Sequence, residues 1–563
     1  MASSEPDRGA LWRPVIVGPL LVATAAALSW WLADRGVPPN DEGALLTNAG
    51  RLLRGAVYYR DIDAYPFPGA TYLLAFAMRL FGEHLSVARA LAGLFFCATV
   101  AALYVASLAL LDRRRAALFG ISLLSLKFVA WPAFTSYIYS DVAFAFACLT
   151  VAAMASRSSE RGLARLFVAG LGIGGAVVAK QSLGIAVAGA VGALLLFPGF
   201  FGGAASAGLS SRARQLVPVA AGALVWLAPM LGYFAFHGLL DELIASGLVA
   251  PFTRYLPASS LSFSTPLRWW ELGQLRGMPS FPYFVAPLWV MLTRGELPGT
   301  DLNWLLGEIT SRVVYTSLPL VFGWVAWRWI RSAAAAADAK TVSVREFALL
   351  AGAIVLSAFP RADFYHVISV YPVAWLLGFA MASPRTPGSW RWRTEAAAIG
   401  LLVLGSLLLM RHYDEQLDAR LVHPRANLAI ESDAMWIESI VRAIESEVPP
   451  DAPVFVYGNE AYYYFLSNRY YDAWPFAQLY PGQTGADRGG RLAEVLRRSP
   501  PALVVRGVIE WPGLPSISTY APELDRSLRR HFALDAGFFA SHPPKAGRPP
   551  ARSFAAVLRP RRR

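Results

Sequence analysis

Charge is what this 563-residue sequence has least of: Asp, Glu, Lys and Arg make up 16% of it, against 55% hydrophobic residues. Ordinary water-soluble domains carry about 25% charged residues. A string of soluble domains is therefore excluded, and a mean hydropathy of +0.42 leaves a polytopic membrane protein. Lysine is scarcest: Lys127, Lys180, Lys340 and Lys545 are the four among 51 basic residues, which makes each informative. The two cysteines, Cys97 and Cys148, lie in apolar runs, against a disulfide framework or a cysteine-ligated metal site. Seven histidines show no metal-ligand spacing, no Gly-x-Ser-x-Gly elbow is present, and no internal repeat or coiled coil is visible. A net charge of +13 would point to nucleic acid in a soluble protein. Here the positive residues collect between apolar runs, and no nucleic-acid partner is expected.

A spanning helix needs about 20 mostly apolar residues. Eleven runs are candidates: residues 15–32, 85–111, 116–134, 142–155, 166–179, 183–200, 216–236, 313–330, 347–359, 367–382 and 396–410. Basic residues fall in alternate connections, as Arg113, Arg114 and Arg115, then Arg157, Arg161 and Arg165, then Arg212 and Arg214. The same holds for Arg328, Arg331, Lys340 and Arg345, and for Arg385, Arg391 and Arg393. By the positive-inside rule these connections are cytoplasmic, and Arg8 and Arg13 hold the N-terminus on that side. The opposite side carries two long loops, 33–84 and 237–312, and the tail. The expected organisation is a transmembrane domain over 1–411 and an extracytoplasmic domain over 412–563. The first run also has the layout of a signal peptide, but Trp30 and Trp31 read as an interfacial anchor, and its removal would not alter the placement of the rest.

From His412 onward 19 basic residues balance 17 acidic ones. Residues 453–457 and 502–505 read as short buried strands, 433–446 and 490–498 as helices, so a small α/β domain is expected. The aromatic run from Tyr457 to Trp474 reads equally as a sugar or lipid platform or as the core of that domain. The terminal arginines, 559–563, read as a solvated disordered end. The alanine run 333–337 reads as linker or helix extension. The glycine-rich residues 170–175 lie inside an apolar span without strand, turn or Lys-Ser/Thr context, so close helix packing explains them better than a phosphate loop.

Polar clusters sit at the outside ends of the spans. Pro38-Pro39-Asn40-Asp41-Glu42-Gly43 opens the first long loop with two adjacent carboxylates. They read either as acids of a helix first turn or as a base that takes a proton from an incoming hydroxyl. Tyr137-Ile138-Tyr139-Ser140-Asp141 places another acid, and Ala179-Lys180-Gln181-Ser182 an ionisable group that is expensive at this depth. Phe359-Pro360-Arg361-Ala362-Asp363-Phe364-Tyr365-His366 is a polar turn in which Arg361 and His366 suit a phosphate and Asp363 can orient either cation. Lys127, deeper in the third span, matches no motif and reads as packing or snorkelling.

The first loop continues with Leu53-Arg54-Gly55, Tyr58-Tyr59-Arg60-Asp61, Tyr65-Pro66-Phe67-Pro68-Gly69 and Arg79-Leu80-Phe81-Gly82. With the acidic pair this resembles the dolichyl-phosphate-mannose protein mannosyltransferase family, glycosyltransferase family 39. Its bacterial branch includes the aminoarabinose and galacturonosyl transferases of lipopolysaccharide. The likeness is strongest over residues 41–182, and the family's double proline is split here by Phe67. It implies a GT-C fold: an α-helical polytopic membrane protein with about 11 transmembrane helices and a small C-terminal α/β extracytoplasmic domain, in a bacterial inner membrane. It also implies a polyprenyl-phosphate sugar donor, single displacement at the anomeric carbon, and a lipid, glycan or protein acceptor. Catalytic residues would be Asp41 as base, Glu42 in support, and Asp141. Lys180, Arg361 and His366 would hold the donor phosphate, and Tyr59, Asp61 and Asp363 would shape the substrate loop. No obligatory metal is expected, a divalent cation between carboxylates being the other reading. A lipid or polysaccharide transporter and a non-catalytic envelope assembly protein are the rival functions. A transporter usually shows repeated halves with mid-membrane ionisable groups, a pattern absent here.

Overall fold

The computed structural model describes residues 13–561 except 39, 132, 156–161, 203–207, 260–262, 265–266, 269, 271–299, 332–338, 360, 362, 383–390, 485–486, 508–515 and 535–555. Arg8, Arg157, Arg161, Arg385, Lys545 and the alanine run 333–337 lie outside the described residues. The chain opens with α1 (Pro14–Leu32), followed by two helices of the first long loop, α2 (Asn40–Leu53) and α3 (Gly69–Phe81). Next come α4 (Leu85–Leu110), α5 (Arg113–Val129), α6 (Tyr139–Met154), α7 (Leu163–Ala179) and α8 (Gln181–Leu196). Further apolar helices run Leu216–Phe236, Thr300–Arg331, Ala339–Leu356, Phe364–Met381 and Arg391–Gln416. Each expected span thus coincides with a helix. Among the described residues four helices are long and apolar enough to cross a membrane on length and composition: Pro14–Leu32, Leu85–Leu110, Leu209–Phe236 and Phe364–Met381. Shorter apolar helices, α3, α6, α7 and α8 among them, fill in between.

Small residues let these helices approach closely. A methyl group added at Gly170 or Gly174 would strike the Val219 or Ala223 carbonyl of the helix Leu216–Phe236, and one at Gly172 or Gly175 would strike Thr150 or Phe146 of α6. The glycine run is a two-sided packing stripe, as small residues in membrane helices often are. At the loop's second proline, Gly69 starts α3 where a Cβ would lie 2.6 Å from the Val178 carbonyl oxygen. Gly69→Ala is therefore expected to cost about 1–3 kcal/mol by overpacking, read as a lower melting temperature of the detergent-solubilised protein. Gly55→Ala, at a positive φ with open space around it, would be strained by its backbone alone.

The third span departs from expectation. Its apolar run continues to Phe134, but the helix stops at Val129, and Phe134 takes a left-handed φ of 59°. Residues between α5 and α6 form a buried loop whose backbone N–H groups turn to acids, as described below.

The tail carries a hairpin, β1 (Ala419–His423) with β2 (Ala426–Ile430). After it comes a four-stranded sheet of order β3-β4-β6-β5, built from β3 (Val454–Tyr457), β4 (Leu503–Arg506), β5 (Phe532–Leu534) and β6 (Ala556–Pro560). β3 and β4 pair in parallel, and the other pairs are antiparallel. The helices Trp436–Glu447, Gly490–Arg498 and Pro522–His531 complete it. Tyr462, Tyr463, Tyr464 and Phe465 are buried, so most of the aromatic run is core. The terminal arginines are not a solvated end over their described part. Arg559 lies in β6 and pairs with Glu447 at 2.6 Å, and the Arg561 amide donates to the His531 carbonyl at 2.9 Å.

The tail is interlocked with the first loop. The Gly36 amide donates to the Ala429 carbonyl and the Ala429 amide to the Asp34 carbonyl. On α2, Thr47 Oγ1 donates to the Ala461 carbonyl at 2.7 Å, Arg51 pairs with Asp472 at 2.8 Å, and Gly43 leaves room for the Tyr462 backbone. One continuous apolar core runs from the spans into the tail.

Candidate active site

The acidic pair splits at once into two environments, because neighbouring residues on a helix point about 100° apart. Glu42 is 0% exposed and meets Arg89 of α4, itself 2% exposed, through contacts of 2.8 and 3.0 Å to its two oxygens. Glu42 also accepts from the Tyr137 amide at 2.8 Å, while Arg89 donates to the Arg35 and Gly36 carbonyls. One ion pair thus ties α1's exit, α2, α4 and the loop before α6.

Asp41 turns the other way, toward Arg361, Asp363 and His366 and the tail's Tyr480, whose hydroxyl donates to its Oδ1 at 3.5 Å. Burial pushes the Asp41 carboxyl above the ordinary carboxylate range; His366, Arg361 and the Tyr480 hydroxyl oppose this, and Asp363 adds to it. Asp363 caps the helix Phe364–Met381 by accepting from the His366 amide at 3.0 Å. It also accepts from Arg361 Nε at 2.7 Å and lies 2.7 Å from His366 Nδ1. Burial works against its ionisation, but His366 and Arg361 outweigh burial and hold it below the usual range. The residue expected to orient either cation contacts both.

Lys180 stands at the break between α7 and α8, where its Nζ donates to the Ser357 carbonyl at 3.3 Å and faces Asp141, Asp363 and Asp41. Asp141, 7% exposed in the first turn of α6, accepts from the Phe134 amide at 3.2 Å and lies near Lys127 and Lys180. Asp41, Asp141, Lys180, Arg361, Asp363 and His366 therefore form one charged cluster drawn from four separate segments. Tyr59 and Asp61 are placed otherwise. Tyr59 packs on Tyr58 and Phe234, its hydroxyl donating to the Pro66 carbonyl at 3.4 Å. Asp61 caps the Val57 amide at 2.7 Å and pairs with Arg60 at the surface. Among the described residues no three His, Cys, Asp or Glu side chains group as a metal-ligand set.

No protein-family model and no curated protein sequence matches the chain. Solved structures do. ArnT from Cupriavidus metallidurans bound to undecaprenyl phosphate is 14% identical, with 96% of this chain and 97% of that one covered and a TM-score of 0.57. This chain has the GT-C fold. The apo form of the same ArnT, 14% identical over 97% and 98% of the two chains, gives a TM-score of 0.43. Archaeal oligosaccharyltransferase AglB from Archaeoglobus fulgidus, in complex with an inhibitory peptide and a dolichol-phosphate, is 12% identical. That comparison covers 96% and 75% of the two chains, with a TM-score of 0.48.

Several further residues meet this cluster to which the sequence pattern assigns no site role. Of the two readings of Lys127, packing holds and snorkelling does not: it is 0% exposed, donates to the Phe134 carbonyl at 2.6 Å and lies 4.3 Å over the Phe96 ring. It thereby steadies the loop that presents the Phe134 amide to Asp141. Gln181, beside Lys180, accepts from the Phe67 amide at 3.0 Å and donates to the Tyr65 carbonyl at 2.8 Å, pinning the proline loop to α8. Tyr139, Tyr255 and Tyr480 converge on Asp41 and Arg361 from three distant stretches of chain. Such uncharged residues are indistinguishable in the sequence from the many other tyrosines.

Proposed function

We propose that the chain is a membrane glycosyltransferase that moves a sugar from a polyprenyl-phosphate donor to an acceptor on the extracytoplasmic side. The observation that carries this reading is the convergence of Asp41 and Asp141 with Lys180, Arg361 and His366 in one cluster, Asp141 and Arg361 buried and the other three half-buried. Sugar transfer from a lipid phosphate needs a base for the nucleophile and fixed cations for the leaving phosphate. In support, a GT-C neighbour, ArnT from Cupriavidus metallidurans, was crystallised bound to undecaprenyl phosphate. The N-terminus would be cytoplasmic and the tail extracytoplasmic, with the donor's lipid chain entering between spans.

In this mechanism Asp41 accepts the proton of an acceptor hydroxyl or amine as its oxygen or nitrogen attacks the anomeric carbon. The bond from that carbon to the phosphate oxygen breaks, and the electron pair leaves with polyprenyl phosphate. Lys180, Arg361 and His366 meet the charge developing on the phosphate, with Asp363 holding Arg361 and His366 in place. Asp141 orients Lys180. Glu42 acts through Arg89 to fix the start of α2. Single displacement inverts the anomeric configuration. Tyr59 and Asp61 shape the loop that covers the donor. Lipid, polysaccharide and protein all remain acceptor classes for this reading.

The test is transfer of radiolabelled sugar from a panel of purified polyprenyl-phosphate sugars to a membrane extract. Label moves with the wild-type protein, EDTA leaves the rate unchanged, and Lys180→Met and Arg361→Met each lower it on the order of 10²-fold. Absence of transfer from every donor, with folded protein and a competent extract, overturns the reading in favour of transport or assembly.

A further inference from the structure

The tail loop around Tyr480 is held from several sides, with Gln478 and Leu479 buried. Gln478 Nε2 donates to the Asn459 carbonyl at 3.4 Å, the Tyr520 hydroxyl donates to the Leu479 carbonyl at 2.6 Å, and the Tyr480 amide donates to Gln483 Oε1 at 3.1 Å. Gly482, at φ 88°, sits where a Cβ would lie 2.7 Å from the Arg254 carbonyl oxygen. The loop is thus seated on the helical segment that carries Tyr255, with the Tyr480 ring aimed into the charged cluster. Its hydroxyl reaches Asp41 Oδ1 across 3.5 Å and also faces Arg361. That distance is long for an O–H···O contact, as catalytic hydrogen bonds often are before substrate binds.

We propose that Tyr480 is a positioning residue, delivered by the tail, that fixes the Asp41 carboxylate for proton acceptance, so that the site is complete only when the tail is docked on α2. This rests on the transfer reaction proposed above and adds to it a role for the second domain. Burial and the neighbouring Asp41 keep the Tyr480 phenol protonated, so it donates at any working pH. Among the described residues the other charged or titratable groups facing Asp41 are Arg361, Asp363, His366, Lys180, Tyr139, Tyr255 and Tyr365. They come from elements outside the tail loop, Tyr255 from the segment on which that loop is seated. Tyr480→Phe keeps the ring in its seat and deletes only the donor.

The experiment uses the full-length protein in nanodiscs. With a transfer-competent polyprenyl-phosphate sugar, Tyr480→Phe is expected to lower kcat on the order of tenfold near neutral pH. The acid limb of its pH profile moves to higher pH, and raising the pH restores the rate. Melting temperature and affinity for polyprenyl phosphate stay at wild-type values. Gln483→Ala, which frees the Tyr480 backbone, gives a smaller change in the same direction. A wild-type pH profile, or a loss that pH does not alter, overturns the proposal. A second readout needs no activity: the infrared carboxyl band that disappears in Asp41→Asn should titrate at higher pH in Tyr480→Phe. If the wild-type protein transfers nothing, the functional reading fails while this band still decides Tyr480. Unchanged titration overturns its role.

Discussion

Asp41→Asn is expected to lower sugar transfer by about 10²–10⁴-fold, the range a positioned general base supplies, while the protein melts at the same temperature or higher. The two effects have one cause. The half-buried carboxylate can take a proton because its pKa lies above the ordinary value, and that elevation is itself a cost to folding. The folded state binds the Asp41 proton more tightly than the unfolded state does. The stability linked to this group is therefore present below the unfolded pKa and lost as pH rises through the folded one. At neutral pH the charge opposes folding, and asparagine, which still accepts from Tyr480, removes that opposition. Transfer in the wild type should fall as pH drops through the raised Asp41 pKa, above the pH at which an ordinary carboxylate protonates. Rate profiles and thermal melts on the same preparations check both halves; a variant that loses activity together with stability would deny Asp41 this role.

The second large effect lies one residue away. Arg89→Met should cost about 3–5 kcal/mol, because it strands the Glu42 carboxylate without its cation in a site closed to water. Adding Glu42→Gln to Arg89→Met should recover much of that loss, since a neutral amide is cheaper to bury than an orphaned charge and can still accept from the Tyr137 amide. Transfer should stay low in the double variant, because Glu42 and Arg89 set the direction of α2's first turn and hence of Asp41. Melting temperatures of the two single variants and the pair, measured as a cycle, give the coupling. Full additivity would mean that the contact contributes little.

Much of this arrangement was legible in the sequence, for an electrostatic reason. In a chain this apolar, an ionisable residue at the end of a span is conspicuous, so Asp41, Asp141, Lys180, Arg361, Asp363 and His366 stood out one by one. The spans were legible from their apolar runs, and β3, β4 and two tail helices from short-range periodicity. What escaped depends on pairing across distance. Arg89 looks like one more arginine near a membrane surface until Glu42, 47 residues earlier, is seen against it. Lys127 has no local partner motif because its partner is a backbone carbonyl in a turn with φ 59° at Phe134. Strand β6 lies in an arginine-rich terminus that reads as solvated until β4 and β5 flank it. Tyr480 and Tyr255 carry no charge and sit in stretches whose local pattern says only loop or short helix.

The interlock between the first loop and the tail also bears on how the chain is made. Thr47 and Arg51 find Ala461 and Asp472 across separations of 414 and 421 residues, so α2 leaves the ribosome long before these tail partners exist. At about 5–20 residues per second, it waits on the order of 20–80 s for those partners. Throughout that interval its apolar face and the Asp41 carboxylate are uncovered, and a chain cut short before the tail would keep them so. Completion of the cluster around Asp41 is then a late event in biogenesis: nascent molecules cannot bring Tyr480 to Asp41 until synthesis has passed the tail loop that carries it.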